Sequence, residues 1–84
     1  LDDPIFLSPN PTSSSIKIEL RDPDQGQVAI SVFDTQGKLL TSSNLVISRQ
    51  NNPVEYDLSG ASAGIYLIKV KSASFMKTLR LVKL

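Results

Sequence analysis

Apolar side chains fall on alternate positions in four separate runs, and this spacing constrains the fold more than any other feature of the chain. Ile16, Ile18 and Leu20 are separated by Lys17 and Glu19, and the same period recurs in Val28, Ile30, Val32, in Val54, Tyr56, Leu58, and in Tyr66, Ile68, Val70. Successive side chains of an extended strand point to opposite faces, so each run has one apolar face and one polar face. Each is predicted to be a half-buried β-strand. Less regular runs, Ile5 to Leu7, Leu39 to Ile47 and Phe75 to Leu84, are predicted strands as well. No segment keeps a 3.6-residue apolar period, and β-branched residues fill the runs, so helix content is expected to be near zero.

Turn-forming residues separate these runs: Pro9, Asn10 and Pro11; Asp22 to Gly26; Asp34 to Gly37; Gln50 to Pro53; and Ser59 to Gly64. About seven short strands with turns at this spacing describe an all-β, immunoglobulin-like antiparallel sandwich. In Asp34-Thr35-Gln36-Gly37 the Asp side chain can bond nearby backbone and the Gly can take a positive φ, which predicts a tight hairpin. The small residues of Ser59 to Gly64 precede an inward Tyr66, as in the tyrosine corner of sandwich domains, where the hydroxyl reaches back to the backbone. Thr12 to Ser15 is polar and reads as a mobile turn.

At 84 residues the chain is one domain with one modest core. The formal net charge is +1, with the Lys and Arg residues spread along the chain except for a thickening near its end. No nucleic-acid footprint follows. The longest unbroken apolar stretch, Ile65 to Ile68, is far below the roughly 20 residues of a membrane-spanning helix, so no membrane span is predicted. The chain opens on Leu1, without a basic-then-apolar leader, and is expected to be cut from a longer precursor, with residues 1–4 as a linker remnant.

With no His and no Cys, Ser-His-Asp and Cys-His nucleophiles and the usual zinc sites cannot be assembled. The absence of cysteine also suits an exported protein. The carboxylates Asp2, Asp3, Glu19, Asp22, Asp24, Asp34, Glu55 and Asp57 lie in turns or on outward strand positions and read as solvated surface. Asp22 to Gly26 has too few carboxylates for a calcium loop and reads as a hairpin. Gly60 and Gly64 are followed by neither a helix pattern nor a Lys-Ser/Thr pair, so they form no phosphate cradle. No catalytic, cofactor-binding or metal-binding residue is predicted, and no cofactor.

Sugar-binding sandwiches generally stack pyranoses on exposed aromatics, yet this chain has no Trp, two Tyr and three Phe. Tyr56 and Tyr66 face inward on the alternation, and Phe33 is expected to pack against a neighbouring strand or a partner. The ending Phe75 to Leu84 mixes cations with apolar residues. It reads either as a last strand whose charges blunt an edge or as a strand-like tag offered to a partner through backbone pairing.

Four segments, taken in order, carry a resemblance that none carries alone. They are Leu7 to Thr12 (LSPNPT), Val32 to Leu39 (VFDTQGKL), Leu58 to Tyr66 (LSGASAGIY) and Lys77 to Leu84 (KTLRLVKL). Together they resemble the C-terminal sorting domains of the type IX (Por) secretion system of Bacteroidota. The resemblance implies a seven-stranded sandwich at the end of secreted proteases, glycosidases or adhesins. It implies an export address: the cargo reaches the periplasm on its own leader, and the domain directs it through an outer-membrane translocon to the cell surface or medium. A sortase-like peptidase then removes the domain.

Carried onto this chain, the resemblance gives structural roles to Pro9, Asn10 and Pro11, to Asp34 and Gly37 in the hairpin, and to Gly64 and Tyr66 at the corner. It places signal recognition in the last eight residues, with Lys77, Arg80 and Lys83 as charged contacts and Leu81, Val82 and Leu84 as apolar ones. Phe6-Leu7 stands where a Tyr often precedes the turn, a departure expected to affect packing more than function. The implied partners are the translocon, the sortase-like peptidase and an upstream cargo domain in the same precursor. Two other classes compete: a structural or carbohydrate-binding spacer of a secreted multidomain enzyme, and a small enzyme working with two carboxylates.

Overall fold

A computed structural model describes residues 5–22, 26–50 and 52–84. The expected linker remnant at residues 1–4, the tip of the 22–26 turn and residue 51 lie outside the described residues. Seven strands form in chain order: β1 (Ile5–Ser8), β2 (Ser15–Leu20), β3 (Gly26–Asp34), β4 (Leu39–Ile47), β5 (Val54–Asp57), β6 (Gly64–Lys71) and β7 (Met76–Lys83). No helix occurs among the described residues, so none there is long and apolar enough to cross a membrane.

The strands make two antiparallel sheets, ordered β1-β2-β5 and β4-β3-β6-β7. The alternation fixes which faces meet. Ile16, Ile18 and Leu20 from one sheet pack against Val28, Ile30, Val32, Ile68 and Val70 from the other, all essentially without solvent exposure. Burial of these aliphatic faces is the main stabilising term for a chain without disulfides, at about 25 cal/mol per Å² of apolar surface. Tyr56 bridges the layers at one edge, its hydroxyl donating to Ser43 Oγ at 3.0 Å, which satisfies a polar group that the sheet half-buries.

β4 persists as a nine-residue strand through Thr41 to Asn44 although its sequence is polar there. It is an edge strand, so the exposed Thr41, Ser42 and Asn44 side chains can remain hydrated while the backbone pairs with β3, and Ser43 turns inward to Tyr56. A bulge between Val32 and Phe33 leaves Leu40 as the extra residue opposite them and carries the chain into the hairpin. There Asp34 Oδ1 accepts from the Gln36 and Lys38 N–H groups, both at 2.9 Å, and Gly37 takes φ +86. An L side chain rarely adopts that conformation, which is why glycine closes this turn.

Candidate functional site

β7 is the last strand and lies at the edge of the four-stranded sheet, paired along its whole length with β6. An edge strand leaves alternate backbone groups unpaired, and these normally invite another strand. Here the segment from Asn10 to Thr12 covers half of that edge. Asn10 Nδ2 donates to Arg80 O at 2.9 Å and Asn10 Oδ1 accepts from Val82 N–H at 3.0 Å, so one amide serves the backbone as a neighbouring strand would. Next, Thr12 N–H donates to Val82 O at 2.9 Å and Leu84 N–H donates to Thr12 O at 2.8 Å, forming a parallel bridge between Thr12 and Lys83.

The expectation of a mobile turn at Thr12 to Ser15 is overturned by this arrangement. Thr12 is buried, its Oγ1 donates to Ser15 O at 2.6 Å and accepts from Ser14 N–H at 3.2 Å, and Ser14 O in turn accepts from Leu58 N–H at 2.8 Å. Polar composition misled because these hydroxyls and carbonyls find protein partners instead of water. The Pro-Asn-Pro turn thus becomes a clamp that ties the chain's first hairpin to its last strand.

The six residues expected to carry recognition, with Lys77 among them, do not share one surface. Along β7 the side chains alternate: Leu81 is wholly buried, Lys83 is 7% exposed, and Lys77 is half-buried on the same inward side. Lys83 Nζ donates to the main-chain oxygen of Leu84 at 3.2 Å, so its long stem lies along the core while its head reaches the strand end. Arg80 and Val82 point to the opposite, outer face, and Leu84 is exposed just beyond the strand. Beyond Arg80 toward the hairpin, no hydrogen bond from the clamp reaches the outer edge of Met76 or Thr78.

The structural residues fall where the local chemistry requires. Tyr66 is buried and its hydroxyl donates to Ser62 O at 2.5 Å, which forms the corner, and Gly64 opens β6 at φ +150, a conformation that disfavours side chains. Sequence reasoning missed Asn52, whose amide pairs with both backbone groups of Leu20, donating to Leu20 O at 2.9 Å and accepting from Leu20 N–H at 3.0 Å. The two asparagines share one sequence feature: Asn10 and Asn52 each precede a proline.

Acid-base chemistry is sparse. Asp57 is held below the ordinary carboxylate range by hydrogen bonds from the Ser59 backbone N–H, at 2.9 Å, and from the Ser59 side chain. Among the described residues no three of His, Cys, Asp and Glu gather closely enough to hold a metal ion. Among the described residues, one shallow surface depression is lined by Gln27, Ala29, Asn44, Lys71 and Ser72 and another lies beside the Asp34 turn. Neither brings two carboxylates to one cleft.

Seven antiparallel strands in two sheets, with the last strand at an edge and clamped by Asn10 and Thr12, define an immunoglobulin-like β-sandwich domain. A family model described as the secretion system C-terminal sorting domain matches residues 7–83, from β1 to the end of β7, and the chain belongs to that type IX secretion family. No curated protein matches the chain. Among solved structures, the crystal structure of dimeric latent PorU from Porphyromonas gingivalis matches with a TM-score of 0.62 at 20% identity, over 95% of this chain and 9% of that one. That likeness is one of fold, and the chain spans under a tenth of the matched protein.

Proposed function

We propose that this chain is the non-catalytic export address of a larger precursor, directing an attached cargo through the type IX translocon to the outer-membrane surface or the medium. The family match supports the reading, because it runs through β7 to Lys83 and the family is that of type IX C-terminal sorting signals. On this reading the cargo passes through the periplasm on a leader of its own. A sortase-like peptidase then removes the domain at a point upstream of β1. Recognition involves the end of β7, where Arg80, Val82 and Leu84 present side chains outward while Lys77, Leu81 and Lys83 fix the strand's position from within.

Deleting residues 77–84 would remove Leu81 from the core and the partner of β6, so loss of export after that deletion would mix signalling with folding. The intact chain is therefore fused to a periplasm-targeted reporter, in a type IX-competent bacterium and in an isogenic strain lacking the translocon. Surface delivery is expected only in the competent strain and only with the fusion. Delivery of the reporter alone, or retention of the fusion in the competent strain, would remove the proposal. Mass analysis of the delivered reporter tests the peptidase step: removal leaves a product shorter than the fusion by at least this domain.

A further inference from the structure

The fold sorts charge in a way that the near-neutral total conceals. The three-stranded sheet carries Lys17 against Glu19, Glu55 and Asp57. The four-stranded sheet carries Lys69, Lys71, Lys77, Arg80 and Lys83 and one carboxylate, Asp34, whose Oδ1 is committed to the hairpin turn. Alternation against the buried Ile68, Val70 and Leu81 puts Lys69, Lys71 and Arg80 on the outer face of that sheet, where no strand places an Asp or Glu.

The same outer face holds an apolar band. Leu39 pairs with Phe33, Phe33 with Leu67, and Leu67 with Arg80, so one row crosses all four strands. Ile65 pairs with Val82 beside it. Leu39 is 51% and Ile65 41% exposed, and the other apolar members are half-buried by their neighbours alone. Contiguous exposed aliphatic side chains rimmed by charge are characteristic of an interface with another protein.

Resting on the sorting reading above, we propose that the export machinery docks a folded protein surface on this face, with an apolar centre that covers the band and carboxylates placed opposite Lys69, Lys71 and Arg80. Recognition then extends beyond the terminal residues to β3, β4 and β6. Charge selects this occupant over a second copy joined face to face, because such a pairing brings together two faces that each carry these cations and offers them no carboxylate. A lipid surface fits less well: interfacial binding buries projecting apolar side chains about 5–10 Å deep, whereas Phe33, Leu67 and Val82 of this band are half-buried within the sheet and the chain has no Trp.

The test uses the reporter fusion of the full chain in the competent bacterium, with substitutions kept off the terminal strand. Lys69→Glu with Lys71→Glu reverses two exposed cations, Leu39→Thr with Ile65→Thr removes apolar surface while keeping strand-compatible side chains, and Lys17→Glu on the opposite sheet is the control. Urea unfolding of each purified chain reports folding, and the charge pair decides the outcome if the threonine pair unfolds. Surface delivery is expected to fall about tenfold or more in the face variants, the effect of losing one strong interface contact, at an unchanged unfolding midpoint, with the control within about twofold. Wild-type delivery with undiminished delivery of the charge pair would overturn the inference, as would a loss of delivery matched by the control. Binding of the purified chain to phosphatidylglycerol vesicles, abolished by the charge pair, would replace the protein partner with a membrane. Failure of the wild-type fusion itself would instead strike the sorting reading.

Discussion

Tyr66 and Asp34 were legible in the sequence because their partners are near: the Tyr66 hydroxyl reaches four residues back, and Asp34 serves backbone two and four residues on. Such side chain to backbone bonds follow from residue type and local spacing. Asn10 was legible only as a turn residue, since the strand it serves lies 70 and 72 residues away, and no local rule connects them. Asp57 belongs to the local kind. Its carboxylate is favoured in the folded state by two bonds from Ser59, so its pKa is lowered on folding. A group with a depressed folded pKa contributes stability above its unfolded value, near the ordinary carboxylate pKa of about 4, and loses that contribution as the pH falls through the folded value. Urea midpoints at pH 7 and pH 3 should therefore differ less for Asp57→Asn than for the natural chain. Equal differences in the two proteins would show that the Ser59 bonds do not discriminate between the two protonation states.

At the scale of elements, the seven strands were readable from period-two alternation and turn residues, and the observed ends differ from the expected runs by one or two residues, as at Met76–Lys83 and Gly26–Asp34. Pairing order was not readable. Alternation says that a strand has an apolar face but not which strand lies beside it, and every inter-sheet crossing here joins segments whose order depends on the whole core. For the same reason the terminal segment could be read as a last strand whose charges blunt an edge or as a strand-like tag, but not as the edge strand whose outer rim Asn10 and Thr12 half close. The clamp makes a measurable claim about β7. Asn10→Ala removes both amide contacts but leaves Thr12 in place, and because the site is exposed, water can satisfy Arg80 O and Val82 N–H. The cost should be modest, about 0.5–1.5 kcal/mol, and concentrated at the strand end. Amide exchange at Val82 should accelerate by about two- to tenfold, the range that this cost converts to, while Ile68 at the sheet centre changes only by the global loss. An unaltered rate at Val82 would mean that Asn10 merely lies against an edge held closed by other contacts.

For the molecule as a whole, a thin core and sorted charge are linked. Two sheets with aliphatic inner faces leave nearly every charged side chain on an outer face, so the strand register that builds the core also decides which charges become neighbours; this is why a chain of net charge +1 presents one cationic sheet. The same thinness sets the margin of stability. A domain of this size is expected to be stable by about 4–12 kcal/mol, and with no Cys it has no disulfide to add to that. Ile30, fully buried at the centre of β3 between the sheets, has no second shell of core to collapse into the space it would leave. Ile30→Ala should therefore cost about 3–4 kcal/mol, within the range for buried aliphatic truncation, and with an m-value near 1 kcal/mol/M should move the urea midpoint down by about 3 M. Met76→Ala, at a 61% exposed position, should shift it by less than about 0.5 M. If the sandwich is one cooperative unit, tyrosine fluorescence, dominated by the buried Tyr66 and half-buried Tyr56, and far-ultraviolet dichroism should report the same midpoint in both variants. Separate midpoints in Ile30→Ala would instead show that the two sheets come apart in stages, and that β7 can remain paired in a domain whose first sheet has already opened.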